Sequence, residues 1–205
     1  MYENEKYKPN QIILSKTGGS GTFTVLQNGI FQVAVVGGGS GSSTYIYGAP
    51  RKGYESTGAS AGCILVEAKL FKNTSYTWSV GGGGSAWVSP SSVGNSGAGG
   101  TTTFKNTDGG NIKATGGQSC STLAPGGGGS YGYTSSSLFE IQTIISYHNG
   151  KAGVGPMPGE ITAGGPSTGI GTSLGAAYGY GGDVGPYVNP AGKGGYVRVM
   201  YLRKR

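Results

Sequence analysis

The chain has 205 residues, enough for one domain with a buried core, and nothing in it demands two. Glycine supplies 45 positions and proline 9, a level that signals disorder, but 10% aromatic residues with 14 tyrosines, and only 11% charged residues, oppose that reading. The net charge of +7 favours anionic surfaces, yet Lys and Arg are scattered apart from Arg51-Lys52 and Arg203-Lys204-Arg205, so no basic stripe for nucleic acid forms and no nucleic-acid partner is expected.

The opening MYENEKYKPNQ is polar and has no apolar h-region, so no signal peptide is visible, and no run of 18 apolar residues is present to insert into a membrane. Gln11 to Lys16 is a short apolar run closed by Thr17-Gly18-Gly19. Gly21-Thr22-Phe23-Thr24-Val25 alternates apolar and polar, and Asn28-Gly29 then supplies a hairpin signal because both residues tolerate positive φ. Ile30 to Val36 follows as a buried strand that runs into Gly37-Gly38-Gly39.

A second strand group starts at Cys63 to Leu70, turns through Lys72-Asn73, and continues from Ser75 to Val80 before the glycines at 81–84. Strands are expected at 101–105 and 111–115, and the closing strand from Gly194 to Leu202 puts Val197, Val199 and Tyr201 on one face. Residues 137–148 admit two readings. Ser137-Leu138-Phe139-Glu140 matches a capping box before Ile141, Ile144, Ile145 and His148 at helical spacing, which favours a short helix. The β-branched content favours a strand with Phe139, Ile141, Thr143, Ile145 and Tyr147 on one face.

Glycine-rich stretches at about 37–62, 81–100, 116–136 and 150–195 separate these strands. Loops of that length without structure are improbable in an ordered domain. The structure that glycine alone can build is a layer of polyproline II-like (polyglycine II) helices, three residues per turn, packed closely enough for backbone groups of neighbours to bond. Cys63 and Cys120 are too few for a disulfide framework, and sequence leaves their pairing open.

At this point a resemblance becomes visible. GTFTVLQNGIFQVAVVGGGSG resembles the opening of glycine-rich domains in phage tail fibres and receptor-binding tips; CILVEAKLFKNTSYTWSVGGGG resembles their second strand pair, TTTFKN with IKATGG their next hairpin, and GKGGYVRVMYL their closing strand. The resemblance spans roughly 18–202 and departs at about 134–165, where an apolar stretch and Pro156-Met157-Pro158 interrupt the glycine repeats. The glycine-rich extracellular module of some receptor tyrosine kinases has a similar arrangement, which implies an all-β antiparallel sandwich of jelly-roll or tumour-necrosis-factor-like topology with an inserted polyglycine helix layer. On this reading residues 1–17 are an N-terminal strand and attachment segment, 18–202 the glycine-rich β domain and 203–205 a basic tail.

Catalytic motifs fare poorly. Gly58-Ala59-Ser60-Ala61-Gly62 has nucleophile-elbow spacing, with Asp108 and His148 in a permissible order, but Ser60 precedes a strand instead of opening a helix. Gly81, Gly83 and Ala86, and Gly127, Gly129 and Gly132, fit dinucleotide spacing without a following helix, and one histidine with two distant cysteines makes a zinc site improbable. No enzyme activity, cofactor or metal is therefore expected.

What remains is aromatic display: Tyr45, Tyr47, Tyr54, Trp87, Tyr131, Tyr133, Tyr178, Tyr180 and Tyr187 fall in the glycine-rich connections, outside the expected strands, as candidate contacts to a receptor. Each could equally cap an edge of the glycine layer. The sequence is read as a virion surface or tail-fibre adhesin, located on the virion or outside the cell. Its expected partners are a host cell-surface glycan or protein and other virion proteins, and by family analogy it forms a homo-oligomer, a trimer. A structural head-fibre or decoration protein, and an ice-binding or matrix protein, are the alternatives.

Overall fold

A computed structural model describes residues 6–47, 52–89, 92–153, 157–160 and 191–204. Every regular element among them is a β-strand. In chain order these are β1 (Gln11–Lys16), β2 (Ser20–Thr24), β3 (Gly29–Val36), β4 (Ser43–Tyr47), β5 (Lys52–Ser56), β6 (Cys63–Leu70), β7 (Ser75–Ser79) and β8 (Trp87–Ser89). They continue with β9 (Thr102–Asn106), β10 (Asn111–Ala114), β11 (Tyr131–Thr134), β12 (Phe139–His148), β13 (Met157–Glu160) and β14 (Tyr196–Arg203). Two antiparallel five-stranded sheets, ordered β1-β14-β3-β6-β12 and β11-β10-β9-β7-β2, share one core, and a four-stranded sheet, β13-β5-β4-β8, stands apart from them.

The core forms because alternate residues of both sheets are apolar. Phe31, Val33, Val35, Ile64, Val66, Leu70, Val197, Val199 and Tyr201 of the first sheet face Tyr76, Trp78, Phe104, Ile112 and Ala114 of the second. Burying one such side chain contributes about 1.5–3 kcal/mol. Two aromatic groups key the layers: Tyr76 stacks on Phe104 at 5.4 Å with Phe139 edge-on to both, and Tyr7, Phe31 and Tyr201 meet 5.3–6.0 Å apart. The Tyr76 hydroxyl donates to the Leu138 carbonyl at 2.6 Å, and burial pushes its pKa up to about 12.

The eight strands expected outright follow the sequence pattern within two residues, but two expected pairings do not form. Asn28-Gly29 is no hairpin: β2 pairs with β7 in one sheet while β3 pairs with β14 and β6 in the other. Asn28 instead accepts the Lys72 amide at 2.7 Å, tying two crossovers together. Likewise 71–74, with Asn73 at φ 63°, carries the chain from β6 to a different sheet in β7. Each connection crosses between layers because the strands on either side need opposite faces of the same core. The β9–β10 hairpin forms as expected, turning at Gly109 with φ 96°, where a side chain would be strained.

Residues 139–148 are a strand, not a helix, and the expected single face is also corrected. Register shifts between Ile141 and Thr143 and between Ile144 and Ser146 insert an extra residue twice. Phe139, Ile141 and Ile144 therefore lie opposite Leu70, Ala68 and Val66 on the core side, and Tyr147, opposite Ile64, takes the same face at the exposed end of the strand. Two bulges convert a period of two into one of three, which imitates helical spacing in the sequence.

The glycine stretches expected to lack strands contain β4, β5, β8, β11 and β13, and between strands they form laterally bonded tracts. Amides of Gly37 and Ser40 donate to Gly62 and Ala59, and those of Gly38 and Gly41 to Gly100 and Gly97. Amides of Gly84 and Trp87 donate to Gly39 and Ser42, and those of Gly100 and Gly97 to Gly82 and Ser85. Gly99 and Ser96 donate to Gly117 and Cys120, Gly150 and Gly153 to Gly129 and Gly126, and Gly192 and Gly195 to Gly84 and Gly81. Bonds to any one neighbour recur every third residue, so successive residues address different neighbours. The backbones lie so close that a Cβ on Gly38, Gly41, Gly84, Gly99 or Gly117 would overlap a carbonyl oxygen of the adjoining tract.

A paired substitution checks this packing. Gly38→Ala puts its methyl on the Gly82 carbonyl and is expected to lower stability by at least about 1–3 kcal/mol. Gly82→Ala, whose methyl meets nothing within 4 Å, should stay within about 0.5 kcal/mol of wild type in urea or thermal unfolding.

Candidate functional site

The small sheet continues the glycine bundle. Tract 37–42 leaves β3 and tract 81–86 follows β7; they run parallel, linked by Gly84 to Gly39 and Trp87 to Ser42, and pass into the parallel pair β4 and β8. Tract 57–62 returns antiparallel from β5 to β6. Tyr45 lies opposite Tyr54 on β5 and opposite Ser89 on β8, and Trp87 lies opposite Ser43, so Tyr45, Tyr54 and Trp87 share one face. The expectation that these residues sit outside strands is thus overturned: Tyr45 and Tyr47 are on β4, Tyr54 on β5, Trp87 on β8, and Tyr131 and Tyr133 on β11. Alternating side chains between glycines suffice for short strands once neighbouring tracts hold them in register.

Trp87 is 37% exposed. Its indole rests on the backbone of Gly94, where a Cβ would overlap Cε2 and Nε1. The Gly94 carbonyl is in turn fixed by the Ser43 hydroxyl at 2.8 Å and the Thr122 amide at 3.2 Å. Beside it the hydroxyls of Ser89 and Ser92 are 3.3 Å apart. One ring face is held by backbone while part of the indole stays open to solvent.

Tyr131 and Tyr133 belong to a different surface. On β11 they lie opposite Ala114 and Ile112 of β10, at the edge of the second five-stranded sheet. Tyr131 meets Tyr147 of β12 with ring centroids 4.7 Å apart, and burial followed by the neighbouring Tyr147 pushes its phenol pKa up. Tyr133 is 47% and Tyr147 54% exposed, so aromatic rings from facing edge strands line the open flank of the two sheets. Sequence reasoning placed Tyr147 on the face of Phe139 and Ile141 but not among the candidate contacts, because only the packing of the two sheets brings the β12 edge to Tyr131. The side chain of Tyr47 and all of Tyr178, Tyr180 and Tyr187 lie outside the described residues.

The triad candidates have other partners. Ser60 is buried and its hydroxyl accepts the Lys151 amide at 2.7 Å, while Asp108 accepts the hydroxyls of Ser136 at 2.6 Å and Ser137 at 2.9 Å and the Leu138 amide at 2.9 Å. Both cysteines are buried free thiols, with pKa values pushed up by burial. Cys120 lies in the glycine bundle, its sulfur 3.3 Å from the Ser96 hydroxyl and from the Gly41 carbonyl.

The Ser136 hydroxyl, ahead of the Leu138 amide and the Ser137 hydroxyl, holds the Asp108 carboxyl below the usual carboxylate range. A carboxylate with a depressed folded-state pKa stabilises above its ordinary pKa, and that contribution is lost as pH falls through the lowered value. Acid unfolding should therefore be less steep in Asp108→Asn than in wild type below about pH 4, measured by thermal melts across pH. At the other surface, Gly94→Ala should tilt the indole off its seat and shift Trp87 emission, read as the difference from Trp87→Phe. The sequence matches no protein-family model and no curated protein.

Proposed function

We propose that the chain is a virion surface protein of the tail-fibre tip kind, which attaches to a host-surface receptor by binding and not by catalysis. The observation that carries this reading is the placement of Tyr45, Tyr54 and Trp87 on one face of a sheet that continues a backbone-bonded glycine bundle. Aromatic side chains give rigid contact area at small entropic cost, and a scaffold that pre-orients them lowers the cost of binding further.

On this reading each tract is a polyglycine II-like helix, and the two five-stranded sheets form a sandwich of jelly-roll or tumour-necrosis-factor-like topology. The three-residue recurrence of the lateral bonds supports the helix assignment, since three residues per turn is that helix's repeat. Six residues at about 3.1 Å each carry the small sheet about 19 Å from the sandwich. The tail-fibre resemblance of the strand and oligoglycine order supports the location on a virion. Assembly as a homotrimer would present three copies of the tip and convert weak single contacts into avidity.

Labelled protein incubated with a panel of bacterial cells and with purified phage capsids tests the proposal. Saturable attachment to cells is expected, reduced about tenfold or more in the Tyr45→Ala/Tyr54→Ala/Trp87→Ala variant with unchanged thermal unfolding. Binding to capsids and to no cell would overturn it in favour of a decoration protein.

A further inference from the structure

The second five-stranded sheet presents a uniform outer face. Its outward positions are Ser20, Thr22 and Thr24 on β2, Ser75, Thr77 and Ser79 on β7, Thr103 and Lys105 on β9, Asn111 and Lys113 on β10, and Gly132 and Thr134 on β11. Register aligns them into two rows that cross all five strands. One runs Thr22, Thr77, Lys105, Asn111, Thr134, and the other Ser20, Ser79, Thr103, Lys113, Gly132. At about 4.8 Å per strand each row is about 19 Å long, and the rows lie about 7 Å apart.

Hydroxyls on this face are ordered by one another, Thr24 to Ser75 at 3.0 Å and Ser79 to Thr103 at 2.9 Å. Lys105 and Lys113 are exposed and opposed by Asn111 and Thr103, and among the described residues neither has a carboxylate within ion-pair distance. The face itself carries no Asp or Glu. Asp108, in the turn beyond Lys105, directs both carboxylate oxygens to Ser136, Ser137 and Leu138.

We propose that this face binds an acidic polysaccharide, a ligand and a surface separate from those of the aromatic tip and independent of that reading. Charge complementarity selects an anion: two ammonium groups without counter-charge stand on a chain whose 15 Lys and Arg exceed its 8 Asp and Glu. The chemistry between them selects a polyol. Eight of the twelve outward residues are Ser or Thr, donors and acceptors suited to sugar hydroxyls. Aromatic or aliphatic anchors, which protein interfaces and membrane surfaces use, and rings on which nucleobases stack are absent from these positions. A carboxylated or sulfated chain lying along a row would meet hydroxyls on adjacent strands and an ammonium in each row.

Binding of the full chain to immobilised heparin and alginate, with neutral dextran and double-stranded DNA as comparison surfaces, tests this directly. Binding is expected to the two acidic polysaccharides and not to dextran, and should weaken as NaCl rises from about 50 to about 300 mM. Lys105→Gln/Lys113→Gln should lose about tenfold in affinity, while Lys8→Gln/Lys193→Gln, with the same change in net charge, should lose less than about twofold. Thr77→Val/Thr103→Val should weaken polysaccharide binding without altering thermal unfolding. Equal losses in the two lysine pairs would reduce the effect to net charge and overturn the proposal. DNA binding as tight as polysaccharide binding and indifferent to the threonine variant, or no binding to either acidic polysaccharide, would overturn it as well.

Discussion

The structure depends on backbone amides of one glycine tract donating to carbonyls of the next at a separation that no side chain permits. A peptide group left unpaired in the interior would cost about 1–3 kcal/mol, so extended segments can be buried only if each donor finds a partner. In a sheet the partners lie on two sides. Here they lie on several, because bonds to a given neighbour recur every third residue: Gly37 and Ser40 address one tract, Gly38 and Gly41 a second, and Gly39 a third. Glycine is required less for conformational freedom than for the missing Cβ, which at Gly38 or Gly99 would overlap the neighbouring backbone.

This bonding explains how a chain with so little charge and so much glycine holds two kinds of interior. Between the two five-stranded sheets the interior is apolar and aromatic. Among the tracts it is made of peptide groups and small hydroxyls, with Ser40, Ser42, Ser43, Ser56, Ser60 and Thr122 fully buried. The Ser40 hydroxyl accepts the Ala59 amide at 2.7 Å and the Ser60 hydroxyl the Lys151 amide, so hydroxyls complete the backbone pairing where the tract pattern breaks. The apolar core orders the strands β3, β6, β7 and β14, and those strands deliver the tracts side by side in register. The tracts then deliver β4, β5 and β8 to the small sheet.

The surfaces follow from the same division. With 11% charged residues the exterior is wetted by hydroxyls and amides, most regularly on the outer face of the second sheet. Aromatic rings are left exposed where strands end or edges stay open, at Trp87 on the small sheet and at Tyr133 and Tyr147 on the flank. A ring becomes a rigid contact only when its other side is seated, and Gly94 provides that seat for Trp87.

Alternation and oligoglycine alone determined where eight of the strands begin and end to within two residues, and that Val197, Val199 and Tyr201 share one face. These features are local, set by side chains two residues apart. Which strands pair was decided only by the tertiary structure, since the hairpin signal at Asn28-Gly29 yields to the need of β2 and β3 to cover opposite sides of one core. The bulges that turn Ile144, and not Thr143 or Ile145, toward the core were equally invisible, because an inserted residue mimics helical spacing until a partner strand fixes the register. The short strands carrying Tyr45, Tyr54 and Trp87 were hidden too: their register comes from bonds between tracts distant in sequence, and no pattern within one segment encodes the neighbour it will meet.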